Sequence, residues 1–176
     1  MGTARYGLKP VGPQNPGALL YFDVDPSSTA IYIGDAVELV ADKGIAQAAA
    51  GNTDNLGVLV AVFDSGGSPA LYYPGGNATG YTAVVNTDPH QVYMIHYYHA
   101  TTALAAADVG LCADWVVGTG NTTTGISGNY ITSGSTSAAN LRILGLALVE
   151  GNTWSTDCEV LVRFCEHIDL PGSAGI

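Results

Sequence analysis

At 176 residues the chain is long enough for one domain with a substantial core. Only 11% of its residues are charged, against roughly 25% in an average soluble domain, so part of the surface is expected to lie against other chains. Five basic and fifteen acidic residues give a net charge of −10, and Arg5, Lys9, Lys43, Arg142 and Arg163 are too few and too scattered to neutralise phosphates, which excludes a nucleic-acid groove.

Residues 1–20 hold Gly2, Gly7, Pro10, Gly12, Pro13, Pro16 and Gly17. Proline at this density neither continues a helix nor donates to a sheet, so the segment is predicted to be extended. It reads either as a loose tail or as an arm lying along a neighbouring acidic surface. The apolar run 18–22 is broken at once by Asp23, too short for a signal peptide, and no run is long enough for a membrane helix. A soluble protein that is not exported by the usual route is expected, with no membrane partner.

Short strands are predicted at 21–24, 30–33 and 36–40, separated by Asp25-Pro26-Ser27-Ser28 and Gly34-Asp35. The alanines at 46–50 predict a single helical turn, and 101–107 a helix of two turns at most. Residues 56–63 form a two-faced apolar strand that ends at the loop 64–69. Strands at 70–73 and 81–85 follow. In 91–98, Tyr93, Ile95 and Tyr97 alternate with Val92, Met94, His96 and Tyr98, so neither face is clearly wet. One face in the core and the other on a partner explains this pattern, and so do two core faces.

The segments 111–117 and 129–131 flank a long exposed loop at 118–128. The run 141–149 is apolar on both alternating faces and is the candidate central strand, covered on both sides by core, a second sheet or a partner chain. It echoes 56–63 through a shared Leu-Gly step, either as a weak repeat of sheet-building units or by chance. The last strand, 159–167, alternates, with Val160, Val162 and Phe164 inward and Arg163 and His167 outward. The expectation is an all-β protein: a single compact antiparallel β-barrel or sandwich over 21–170, an extended Pro/Gly-rich N-terminal arm over 1–20, an irregular tail at 171–176 and very little helix.

Catalytic and metal-binding chemistry is not expected, and neither is a cofactor. Asp64-Ser65-Gly66 after an apolar strand looks like the loop of an aspartic protease, but that reaction needs two carboxylates and no second such loop is present. His90, His96, His99 and His167 lack zinc spacing. Cys112, Cys158 and Cys165 are odd in number and suit a reducing cytoplasm better than a disulfide framework.

The motifs Arg5-Tyr6-Gly7-Leu8-Lys9-Pro10-Val11, Ile33-Gly34-Asp35-Ala36-Val37, Gln47-Ala48-Ala49-Ala50-Gly51 and Leu56-Gly57-Val58 occur in that order. They are followed by residues 106–114 and by Leu141-Arg142-Ile143-Leu144-Gly145-Leu146. In this order the chain, nearly as far as Arg163, resembles a family of small structural proteins of tailed bacteriophages, the capsid decoration (cement) proteins. Cys112 departs from the polar residue expected at its place. The resemblance implies a protein on the outer capsid surface of the virion, often a homotrimer, bridging neighbouring subunits of the major capsid protein. With that reading, Arg5, Tyr6, Leu8, Lys9, Pro10 and Val11 are the expected capsid contact, and Tyr93, Ile95, Tyr97 and Tyr98 the expected self-contact. A receptor- or glycan-binding head-fibre or tail domain of a virion is the alternative.

Overall fold

Two curled β-sheets packed against each other form the body of the molecule, seen here in a computed structural model that describes residues 5–41, 44–132 and 140–170. The first sheet runs Cys112–Ala113, Leu141–Leu146, Asp157–Phe164, Tyr93–Tyr98, Tyr130–Ile131, Trp115–Val116. Its first and last strands are one stretch of chain interrupted only by Asp114, so the sheet rolls into a nearly closed barrel. Lys9–Pro10 joins it on the edge of Tyr93–Tyr98. All these pairs are antiparallel except Tyr97 with Ile131.

The second sheet runs Leu19–Asp23, Thr82–Asn86, Asn55–Phe63, Ala36–Val40, Gly44–Gln47, and Pro69–Ala70 adds to the far end of Asn55–Phe63. A parallel bridge between Val24 and Ile45 brings its two edges together. A small ribbon, Ile31–Tyr32 with Tyr72–Tyr73, covers one end and stacks Tyr32 on Tyr72 at 4.8 Å.

The period-two pattern of the sequence sorts side chains into two cores. Tyr93, Ile95 and Tyr97 enter the first barrel with Val160, Val162, Phe164 and Trp115. Val37, Ile45, Leu59, Val62 and Val85 fill the second. Ala36 and Val58 belong to the first core although they sit on strands of the second sheet. The strands Ala36–Val40 and Asn55–Phe63 are therefore the wall shared by both cores. That is why 56–63 shows no polar face.

Several expectations are corrected. The central strand is not 141–149: strand structure ends at Leu146, Arg142 faces solvent and Leu148 is fully exposed. The two middle strands of the sheet are Asp157–Phe164 and Tyr93–Tyr98. Residues 101–107 are not helical; a 3-10 turn at Ala106–Asp108 is all that forms there. The alanines near 46 continue a strand, Gly44–Gln47, paired with Val37–Val40. His167 does not face out. The last strand stops at Phe164, the chain turns, and His167 is buried with its ring edge-on to Phe164 at 5.8 Å. The predicted tail 171–176, the first residues of the arm (1–4) and Lys43 lie outside the described residues.

Candidate interaction surface

The segment from Arg5 to Val11 is bound to its own barrel at almost every residue. The Arg5 guanidinium sits 3.7 Å from the ring centre of Tyr130 and 5.2 Å from that of Tyr98, a cation held over two aromatic faces. The Tyr6 ring is half-buried, and burial together with the nearby Glu159 carboxylate raises its hydroxyl pKa; no hydrogen bond of normal geometry closes between the two. Gly7 has φ +69° and lies so close to the Gly34 carbonyl and to Ser127 that a Cβ has no room. The Gly7 and Leu8 N–H groups donate to the Asn129 and Gly34 carbonyls at 3.2 and 2.8 Å. Lys9 and Pro10 then pair with Met94 and Tyr93, the Val11 N–H donates to the Val92 carbonyl, and the Gln91 amide donates to the Val11 carbonyl.

Among the six residues expected to meet a capsid, Leu8 is 2% exposed and belongs to the core. Tyr6 and Pro10 are half-buried, while Arg5, Lys9 and Val11 face outward. Among the four expected to meet a second copy, Tyr93, Ile95 and Tyr97 have no exposed surface and fill the chain's own barrel. A side chain without surface adds no contact area, so only Tyr98 is left to a partner, and its ring already lies beside Arg5.

What the sequence does not reveal is the ground on either side of Lys9–Pro10. An apolar cleft of about 400 Å³ opens on the side facing the second sheet, between Leu8, Ile33, Val58, Val60, Tyr93 and Ile126. A groove of about 390 Å³ opens on the other side, lined by Lys9, Pro10, Val11, Met94, Leu148 and Leu161, with Val149 at its rim. Val11 and Val149 are exposed and Leu148 is entirely so.

Leaving such side chains in water forgoes roughly 1.5–3 kcal/mol each, and the turn that presents Leu148 is firmly built. The Asn152 amide donates to the carbonyls of Ala147 and Glu159 at 2.8 and 2.7 Å, and its oxygen accepts from the Glu159 N–H at 3.0 Å. Gly151 supplies the left-handed residue, with φ +77°. Leu148 is thus held outward by the turn beneath it. Val11, Leu148 and Val149 line this groove with exposed apolar surface beside Lys9.

The other residues singled out from the sequence have structural roles. Asp64 accepts from the Gly66 and Ser68 N–H groups, both at 2.9 Å, and so closes a turn. His96 Nε2 pairs with Asp157 at 2.6 Å, and His99 Nδ1 accepts from the Thr101 and Thr102 N–H groups. Among the described residues no three His, Cys, Asp or Glu side chains cluster as metal ligands. Cys158 is buried, whereas Cys112 and Cys165 meet with their sulfurs 3.1 Å apart, a proximity that a separation of 53 residues gives no means of reading.

One buried carboxylate, Asp35, and two half-buried ones, Glu38 and Glu166, have their pKa values raised by folding. Asp35 is 1% exposed, and its Oδ2 accepts from the Tyr32 N–H at 2.8 Å and the Gln47 amide at 2.9 Å, with the Ser127 hydroxyl alongside. Burial raises its pKa, as it does for Glu38, which bonds Asn52, and for Glu166, near Asp114 and Asp54. An acid whose pKa is raised by folding gives its full stability below the unfolded value, near 4, and loses it as pH rises through the folded value. His167 has the opposite sign: burial lowers its pKa, so folding is disfavoured as pH falls below the ordinary histidine value. Asp35→Asn isolates the first effect. Relative to the wild type, its melting temperature is expected to be more favourable at pH 7.5 than at pH 4.5, as followed by circular dichroism. An equal difference at both pH values would show that Asp35 titrates alike in the folded and unfolded chain.

Compared with known protein families, curated proteins and solved structures, the chain matches none of them.

Proposed function

We propose that this chain is a structural virion protein that docks on the outside of a phage capsid and bridges neighbouring major capsid subunits. The reading rests on the ordered motifs from Arg5 to Leu146 that resemble the decoration family. The observation that carries it is the exposed groove between Val11 and Leu148, built on a braced turn beside the arm strand. The arm acts as one rigid wall of that groove, and Lys9 gives it a positive rim suited to an acidic partner. The edge strand Leu19–Asp23 leaves Leu20 and Tyr21 exposed on opposite faces, apolar surface outside the groove on which self-association into a ring would draw. Each contact is small, and repetition over a capsid lattice supplies the avidity.

The test has two parts. Quantitative mass spectrometry of purified virions gives the ratio of this protein to the major capsid protein. A ratio fixed by the lattice, such as one to one, is the expected result. A handful of copies per particle would instead assign it to a receptor- or glycan-binding fibre, and complete absence would end the virion reading. Val11→Asp with Leu148→Asp, which alters exposed residues only, is expected to keep the wild-type melting temperature within a degree or two while weakening capsid binding at least about tenfold. Unchanged binding would remove the groove from the proposal.

A further inference from the structure

Cys112 opens a strand of only two residues, Cys112–Ala113, which pairs with Arg142 and Leu141. Through Asp114 this strand runs into Trp115–Val116, so the stretch closes the barrel. Cys165 stands on the other side of Leu141–Leu146, one residue past the end of Asp157–Phe164, where the chain bends. Its N–H donates to the Asn140 carbonyl at 2.7 Å. From there the chain crosses to the second sheet. The Glu166 carbonyl accepts from the Asn55 amide at 3.1 Å, and the Ile168 N–H donates to the Asn55 carbonyl at 2.9 Å. The two thiols, both partly exposed, meet over the intervening strand with their sulfurs 3.1 Å apart.

That separation exceeds the length of a disulfide bond, about 2.05 Å, by only about 1 Å. Rotation of the two side chains covers much of the gap, and Cys165 sits on a bend rather than within a ladder, so its backbone can follow. The surroundings suit thiol–disulfide exchange. The Arg142 guanidinium lies beside both sulfurs, and a cation there favours the thiolate, the form that attacks a disulfide. Burial and Cys112 act the other way on Cys165 and push its thiol up to about 12, so a proton has to leave and exchange accelerates as pH rises. Beside Cys165 a crevice of about 150 Å³ is lined by Arg142, Arg163 and His90. Its two guanidinium charges favour an anionic reagent.

We propose that Cys112 and Cys165 are a modification site, which a small-molecule disulfide of the class of oxidised glutathione converts into a disulfide stapling the barrel-closing stretch to the segment that leads onto the second sheet. One cysteine thiolate attacks a sulfur of the reagent, whose S–S bond breaks and releases one small thiolate. The second cysteine thiolate then attacks the protein sulfur of the mixed disulfide and expels the other. The protein loses two protons and two electrons, and the reagent leaves with them as two thiols. The staple is absent in a reducing compartment and forms on passage to an oxidising one. It closes a loop over a separation of 53 residues, which removes conformations from the unfolded chain, and it reinforces a strand held by only two residue pairs.

The reduced protein, freed of reductant, is incubated with oxidised glutathione at mildly alkaline pH. Wild type is expected to lose two of its three thiols, titrated in denaturant, and two hydrogens of intact mass, with Cys112 and Cys165 joined in the peptide map. Its melting temperature is expected to rise by roughly 5–15 °C, and dithiothreitol to reverse both changes. Cys112→Ser and Cys165→Ser are expected to stop at a glutathione adduct on the remaining thiol and to gain no stability. Should either variant fail to fold, the wild-type map and melting shift decide alone. Wild type that keeps three free thiols, a map that joins Cys158 to either partner, or a bond that leaves the melting temperature unchanged would overturn the proposal.

Discussion

Gly57→Ala is expected to cost about 4 kcal/mol or more and to lower the melting temperature by roughly 8–16 °C, whereas Gly145→Ala is expected to be neutral or stabilising by about 0.4–1 kcal/mol. The two glycines open similar Leu-Gly steps in the two apolar runs, and from the sequence alone they look equivalent. In the structure Gly57 has φ +154°, and a Cβ there would stand 2.1 Å from the Asn86 carbonyl oxygen and 2.9 Å from its carbon. Asn86 is fully buried on the neighbouring strand, and backbone cannot rotate aside as a side chain can. The damage would fall on the shared wall and so reach both cores. Gly145 has nothing within 4 Å of its Cβ position and an ordinary φ. Thermal melts of the two variants check this directly. A Gly57→Ala protein that melts within a degree or two of wild type would mean that the wall yields where its register leaves no slack.

This pair also shows how far the sequence could be read. Alternation exposed the inward set Val160, Val162 and Phe164, and continuous apolarity exposed 56–63 as a strand with no wet face, because both signals are local. The same signal misled at 141–149. An apolar run identifies a strand that avoids water, and it equally marks one whose end is displayed, as Leu148 is.

The helix expected at 101–107 failed for a chemical reason. The Tyr97 hydroxyl donates to the Thr102 carbonyl, His99 takes the Thr101 and Thr102 N–H groups, and Asp108 takes that of Ala105. The Thr102 carbonyl and the Ala105 N–H are groups a helix would use, whereas the Thr101 and Thr102 N–H groups would be free in its first turn in any case, and alanine propensity is too weak to compete. Barrel closure through the parallel pairing of Tyr97 with Ile131, and the meeting of Cys112 with Cys165, join parts of the chain with no shared pattern. The candidate surface was legible only in half: the arm was visible by composition, but its partner turn at Leu148 was hidden within what looked like core.

Removing residues 1–11 separates the two roles of the arm. The deletion takes out Leu8, a core side chain whose truncation to alanine alone would cost about 2–5 kcal/mol. It also removes the hydrogen bonds from Gly7, Leu8 and Val11 to Asn129, Gly34 and Val92, and the pairing of Lys9–Pro10 with the Tyr93–Tyr98 strand. The wall of the cleft beside Tyr93 and Val58 goes with them. A fall in melting temperature of on the order of 10 °C or more is therefore expected, with greater sensitivity to proteolysis. Any loss of capsid binding by the shortened chain would then say little about contact, since the groove would have lost its frame. Arg5→Ala is the milder companion. It removes a cation from the Tyr98 and Tyr130 rings, worth about 0.5–1 kcal/mol at an exposed site, and leaves the strand pairing intact. If the deletion melts like the wild type, the arm is an appendage and its contacts are incidental. If it melts far below while the double substitution at Val11 and Leu148 does not, the arm serves the fold through its inner face and its outer face contributes nothing to stability, so that capsid binding by the double substitution reads contact alone.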